Sequence, residues 1–137
     1  MSHYIVIVGC GRLGSLLANR LSSAGHQLVV IDRNESKFDK LSTEFSGFKV
    51  VGDAIEMSVL RRAHVEKADY LFAITTEDNL NLMVAQVAKT EFKVPNVIAR
   101  VYDTAREAIY GEFGIETISP TKLAAEAFIT VMEGESS

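Results

Sequence analysis

The run Tyr4-Ile5-Val6-Ile7-Val8-Gly9-Cys10-Gly11-Arg12-Leu13-Gly14 constrains this chain more than any other. Its continuous apolar, β-branched start reads as a strand buried on both faces, the kind found in a parallel sheet. Three glycines at G-x-G-x-x-G spacing follow at once. Gly9 permits a tight turn out of the strand. Gly11 lets a pyrophosphate approach the backbone, and Gly14 lets the next helix pack close. That helix starts near Arg12, with its first N–H groups facing the phosphates. Leu13, Leu16, Leu17 and Leu21 fall at helical spacing and predict one apolar face, with Gly25 as a stop.

A second strand, Gln27 to Ile31, follows, and Asp32 closes it at the distance a dinucleotide fingerprint requires. A carboxylate there accepts hydrogen bonds from ribose hydroxyls and repels a 2′-phosphate. The bland alternative is a glycine-rich turn plus a helix-capping Asp. The strand–loop–helix–strand context favours the fingerprint. Arg12 opposes the helix dipole. It is either a solvated, tolerated cation or a source of charge for a phosphate of its own or a neighbouring subunit. Cys10 is either a small side chain in a tight space or a redox-sensitive thiol.

Strands and helices alternate to the end. Asn34 predicts a capped helix carrying Phe38, Leu41 and Phe45, stopped by Gly47. Phe48 to Val51 is a third strand, and a short helix covers Met57 to Ala63. Tyr70 to Ile74 is a fourth strand, and Thr76 caps a helix from Glu77 to about Lys93, broken by Pro95. Asn96 to Ala99 is a fifth strand ending at Arg100. Asp103 caps a helix from Thr104 to Phe113, Glu116 to Ile118 is a sixth strand, and Ser119-Pro120 starts a last helix. The pattern predicts an α/β, Rossmann-type, doubly wound six-stranded parallel sheet over 1–119. Residues 120–137 form a crossover or dimerisation helix and a short tail, frayed from Glu133 to Ser137. Leu123, Ala124, Ala127, Phe128 and Val131 form one stripe of that helix, with Ile129 and Met132 outside it. This surplus apolar surface packs either on its own domain or on a partner.

At 137 residues and 47% apolar content the chain makes one domain with an ample core. A net charge of −4 argues against nucleic acid as a major partner. No apolar stretch is long enough to span a bilayer, and no signal peptide is visible. A single cysteine suits a reducing cytoplasm.

Ligands of open α/β sheets bind at the carboxyl ends of the strands. Those ends carry Gly9-Cys10-Gly11, Asp32-Arg33, Asp53-Ala54, Thr75-Thr76 and Arg100. Asp53 suits an adenine amino group, Thr75 and Thr76 suit ribose or phosphate, and Arg33 suits stacking on adenine. Arg100 suits a phosphate or a carboxylate. Singly, each of these residues has an equally good capping or turn role; their common edge favours a binding one.

Val8-Gly9-Cys10-Gly11-Arg12-Leu13-Gly14, Val30-Ile31-Asp32, Val51-Gly52-Asp53-Ala54, Ile98-Ala99-Arg100 and Phe113-Gly114-Ile115 with Ser119-Pro120 together carry a resemblance. The chain resembles the regulator-of-potassium-conductance family, in particular the N-terminal nucleotide-binding domain of Trk/Ktr potassium-uptake regulatory subunits. The resemblance implies a cytoplasmic homo-oligomer, a dimer assembled into a ring (commonly octameric). That ring would lie at the inner face of the cell membrane beneath a potassium-translocating subunit. It implies NAD(H) or ATP/ADP in the cleft, held by Gly9, Cys10, Gly11, Arg12, Leu13, Gly14, Asp32, Arg33, Asp53, Ala54, Thr75, Thr76 and Arg100. Arg12 matches an arginine that reaches a phosphate across the dimer in Ktr-type members. Regulators of this kind usually continue into a smaller C-terminal domain, so the chain is expected to be a truncated or short form.

The rival expectation is the nucleotide-binding half of an NAD-dependent dehydrogenase. His3, His26 and His64 read as solvated loop residues rather than general bases, and no metal cluster, nucleophile elbow or Walker lysine appears. The sequence therefore points to a sensor rather than an enzyme.

Overall fold

The structure, a computed structural model, describes residues 1–134, so 135–137 of the predicted tail lie outside the described residues. Strands β1 (Tyr4–Val8), β2 (Gln27–Asp32), β3 (Phe48–Val51), β4 (Tyr70–Ala73), β5 (Asn96–Arg100) and β6 (Glu116–Ile118) form one sheet. Its order is β3-β2-β1-β4-β5-β6, and every pairing is parallel. Helices α1 (Arg12–Ser23), α2 (Met57–Arg62), α3 (Asp78–Thr90), α4 (Glu107–Glu112) and α5 (Pro120–Met132) connect or follow them.

The period-2 alternation of β1 divides the core. Ile5 and Ile7 face a layer with Cys10, Ala18, Leu28, Val30 and Phe38. Val6 and Val8 face the opposite layer, with Leu60, Leu71, Val84, Ala85, Val97 and Tyr110. Both faces of the central strands are therefore covered, as the unbroken apolar run in β1 requires. The chain leaves β1 toward β2 on one side and β4 toward β5 on the other. The switch point lies between β1 and β4.

Several local expectations change. The helix predicted after Asn34 is only a 3-10 turn, Glu35–Lys40, although Asn34 does accept the Ser36 N–H. Beyond it, side chains of α1 take over the backbone. Asn19 accepts from Ser42 N–H at 2.8 Å, and Ser22 accepts from Ser46 N–H at 3.2 Å. Leu41 and Phe45 therefore pack from a loop. In α1 the buried residues are Gly14, Ser15 and Ala18, while Leu16 is 49% exposed. Close approach to the sheet requires small residues at the contact, and the leucines flank it. α3 is preceded by Glu77, and the hydroxyl that accepts the Glu77 N–H belongs to Thr75, not Thr76. α3 also ends at Thr90, before Lys93, which takes φ 58°. The helix expected over Thr104–Phe113 begins as a 3-10 turn, Thr104–Arg106, capped by Asp103 as expected.

α5 is capped by Ser119 with Pro120 in its first turn, as the sequence predicts. Its first turn is held by Lys122 Nζ on Glu107 at 3.2 Å. None of its residues is buried, and Phe128 is 77% exposed. The apolar stripe of α5 does not pack on its own domain.

Candidate functional site

A cleft of ≈ 250 Å³ opens at the carboxyl edge of the sheet, over the switch point between β1 and β4. Its floor is the turn after β1. Gly9 has φ +112°, and a Cβ there would lie 3.1 Å from the Ile74 carbonyl group and the Thr75 nitrogen. A Cβ on Gly14 would lie 1.9 Å from Gly9 O, so α1 approaches this turn only because Gly14 lacks a side chain. Beside Gly11 the space is open, with nothing within 4 Å. Gly11 is also the N-cap of α1 and offers no side chain to its orphan N–H groups, and the first turn holds no acidic residue. The helix end is thus free to receive an anion from the cleft.

Asp32, at the end of β2, forms one wall. Its Oδ2 accepts from Cys10 N–H and its Oδ1 from Asn34 N–H, both at 2.9 Å. A carboxylate has about four lone-pair sites, so capacity remains for hydroxyl donors in the cleft. Asp53 accepts from Ile55 N–H at 3.1 Å and shapes the turn after β3, with Ala54 buried behind it. Gly52 belongs to this turn because a Cβ would meet Val59 at 2.7 Å. The opposite wall is Thr75, Thr76, Glu77, Leu80 and Arg100. Arg33 and Glu77 approach to 3.7 Å across the mouth, both exposed.

Of the residues singled out in the sequence, Gly9, Gly11, Asp32, Arg33, Asp53, Ala54, Thr75, Thr76 and Arg100 line this cleft. Cys10, Arg12, Leu13 and Gly14 do not. Cys10 is buried under the turn and presents only its amide to Asp32. Burial raises its thiol pKa, and the Asp32 charge raises it further. That opposes the redox reading, since the thiolate is the reactive form. Arg12 is exposed at the first position of α1 and is not part of the cleft lining. Leu13 packs against the sheet, and Gly14 acts through spacing.

Arg100 does not point freely into the cleft. Its Nη2 donates to Ile74 O at 2.7 Å and Thr75 O at 3.0 Å, and its guanidinium sits 5.0 Å from the Tyr102 ring centre. Its Nε is buried without a partner. Arg33, expected against an adenine, is paired with Glu77. Sequence reasoning missed Asn34, Lys37, Gly52, Glu77 and Leu80 in the wall, and Asn81 behind it. Lys37 carried no signal beyond a place in a helix that proved shorter. Asn81 did carry one, a polar residue on the stripe shared with Val84, Ala85 and Ala88.

The histidines lie elsewhere. His3 and His26 stack at 5.4 Å beside Asp69, near the amino ends of the strands, so they are engaged with each other rather than free in loops. His64 is exposed at φ 55°, pairing with Glu66. None lines the cleft. Among the described residues no group of three or more His, Cys, Asp or Glu is placed to hold a metal, and no helix is long and apolar enough to cross a membrane.

Residues 5–120 match the family model described as the TrkA-N domain. The chain is 40% identical over 126 residues to the Trk system potassium uptake protein TrkA of Streptomyces coelicolor, covering 92% of this chain and 56% of that protein. It spans about half the length of the curated relatives it matches. The TrkA-N domain of the inner membrane protein ybaL from Escherichia coli superposes with a TM-score of 0.85 at 24% identity, over 96% of this chain and 97% of that one. The GsuK channel bound to NAD gives a TM-score of 0.71 at 19% identity, over 86% of this chain and 21% of that one. GsuK bound to ADP gives 0.75 at 20%, over 90% and 32%. At these identities the solved structures establish the fold: a Rossmann-type sheet of this topology.

Proposed function

The chain belongs to the TrkA-N domain family, and on that premise we propose that it is the nucleotide-sensing part of a potassium-uptake regulator. It binds an adenine nucleotide, NAD(H) or ATP/ADP, and gates a membrane potassium-translocating partner without turning the ligand over. The observation that carries this reading is the cleft itself. An uncapped helix end and the open space beside Gly11 suit phosphates, and Asp32 opposite them suits ribose hydroxyls. Arg33, Lys37 and Arg100 stand among Asp32, Asp53 and Glu77, a mixed lining suited to a ligand with both anionic and hydroxyl parts. Neighbours of the same fold whose descriptions name bound NAD and ADP support the ligand class. The relatives' description as Trk potassium uptake proteins supports the pathway.

In this reading residues 1–119 are the nucleotide domain, and 120–137 contain the helix through which two copies pair. The dimers assemble into a ring at the inner face of the cell membrane. The uncovered stripe of α5 supports that pairing. Binding can bias such a ring only if one arrangement binds better than another. Calorimetric titration of the chain with ATP, ADP, AMP, NAD and NADH, with mass measured by light scattering, tests the proposal. Binding by an oligomer without turnover is the expected result. Hydride transfer, or a monomer that binds NAD(H) alone, would favour the dehydrogenase half instead.

A further inference from the structure

Asn81 is 0% exposed in α3, on the side that packs against the sheet. Asparagine is a poor helix former, and a buried amide without partners is destabilising. This one is fully used. Its Oδ1 accepts from the Thr75 N–H at 2.9 Å and from the Thr75 hydroxyl at 2.7 Å. Its Nδ2 donates to Thr75 O and to Arg100 O, both at 3.0 Å. Only this amide orientation serves an N–H on one side and two carbonyls on the other.

The two backbone segments so joined are the ends of β4 and β5, and both lie in the cleft wall. The Thr75 carbonyl also receives Arg100 Nη2 at 3.0 Å. On its other side the Ile74–Thr75 peptide stands against Gly9, where a Cβ would be 3.1 Å away. Asn81 therefore controls the position of the peptide that faces the glycine turn. Asn81 itself does not line the cleft.

We propose that Asn81 is a positioning residue of the cleft, clamping Thr75 and Arg100 so that the β4 end stays at the spacing from the glycine turn that a nucleoside diphosphate needs. This rests on reading the cleft as a nucleotide site. The phosphates are the ligand part expected at the glycine turn and the start of α1, and the Ile74–Thr75 peptide stands against that turn, so loss of the clamp acts on them more than on the nucleoside.

The test compares ADP and AMP binding to the full chain, wild type and Asn81→Asp. The substitution keeps the shape and the oxygen facing the Thr75 N–H, but it removes both donors to the carbonyls. Val65→Ala, a cavity in the buried core away from the cleft, serves as a destabilised control. Asn81→Asp is expected to weaken ADP at least tenfold and to shrink the preference for ADP over AMP, while Val65→Ala leaves both unchanged. Wild-type ADP affinity in Asn81→Asp would overturn the proposal, as would an equal loss in the control. If Asn81→Asp does not fold, hydrogen exchange of the wild-type Thr75 amide decides: protection in the free chain is expected, and exchange at open-chain rates overturns the clamp. A wild-type chain that binds neither ADP nor AMP would instead remove the nucleotide reading, and the clamp with it.

Discussion

The Asp32 carboxylate holds the Cys10 amide at 2.9 Å, so the residue that faces the cleft from β2 also fastens the glycine turn after β1. Its other oxygen holds the Asn34 amide. One side chain thus joins the site's construction to its binding surface, and substitution there is expected to move stability and affinity together. Asp32→Ala leaves two N–H groups without their acceptor and should cost about 1–3 kcal/mol in denaturant unfolding. It should also weaken every ribose-bearing ligand. Unchanged affinities in calorimetry would remove Asp32 from the ligand's surroundings.

Gly11 and Gly14 separate the two effects. Gly14→Ala drives a Cβ to 1.9 Å from Gly9 O, so α1 must move, at about 3 kcal/mol or more. Gly11→Ala meets nothing within 4 Å, and its stability should stay within about 0.5 kcal/mol of wild type. Gly11 lines the cleft, so with an added methyl group ADP affinity should fall about tenfold, or about 1.4 kcal/mol. Thermal unfolding and calorimetry on the same two variants check the pair.

Arg12 is exposed at the start of α1 and does not line its own chain's cleft, which leaves it available to a phosphate bound in a second copy. Arg12→Ala is then expected to weaken ATP about tenfold, more than NAD, in the oligomer. Equal losses for both ligands would show that Arg12 does not read the terminal phosphate.

Three acids, Cys10 and Tyr110 buried and Tyr4 half-buried, predict an alkaline limit to stability. Burial raises the pKa of Cys10 above 9.0, with the charge of Asp32 adding to it. Burial likewise raises Tyr4 and Tyr110 above 10.0, helped by Glu66 and Asp78 respectively. Each is neutral when protonated, and the native state holds the proton more tightly than the unfolded chain does. Their stabilisation is therefore complete below about pH 9 and is lost as pH rises through the raised values. Urea midpoints measured from pH 7 to 11 should fall over that window, less steeply in Cys10→Ala. At pH 7 the thiol should resist a disulfide reagent until the chain unfolds.

The uncovered stripe of α5 makes its own prediction. Phe128→Glu places a charge where the wild-type helix is apolar and 77% exposed. The variant should keep its circular dichroism and lose oligomer mass in light scattering. An unchanged mass would place the contact between copies elsewhere.

Much of the site was legible because its constraints are local. A glycine forced by φ, a carboxylate closing a strand, and a cap one turn before a helix are all relations between near neighbours in sequence. The helix expected over Phe38, Leu41 and Phe45 failed because Asn19 and Ser22, about 20 residues earlier, take the backbone bonds that would have continued it. Arg100 read as a partner for a phosphate or a carboxylate, and it bonds the carbonyls of Ile74 and Thr75 just past the end of the neighbouring strand.

The sequence by itself determined the order of strands and helices, the glycine turn, and which strand ends could carry a ligand. All of that follows from periodicity and backbone sterics acting within a few residues. Tertiary structure decided the rest. It left the side chains of Cys10, Arg12 and Leu13 out of the cleft lining, so that this stretch meets the cleft through the backbone N–H groups at the start of α1. It paired Arg33 with Glu77 and placed Asn81 behind Thr75 and Arg100. These relations join residues on different elements, and a hydrogen bond or an ion pair forms only once the sheet has brought its strand ends within about 3–4 Å of each other.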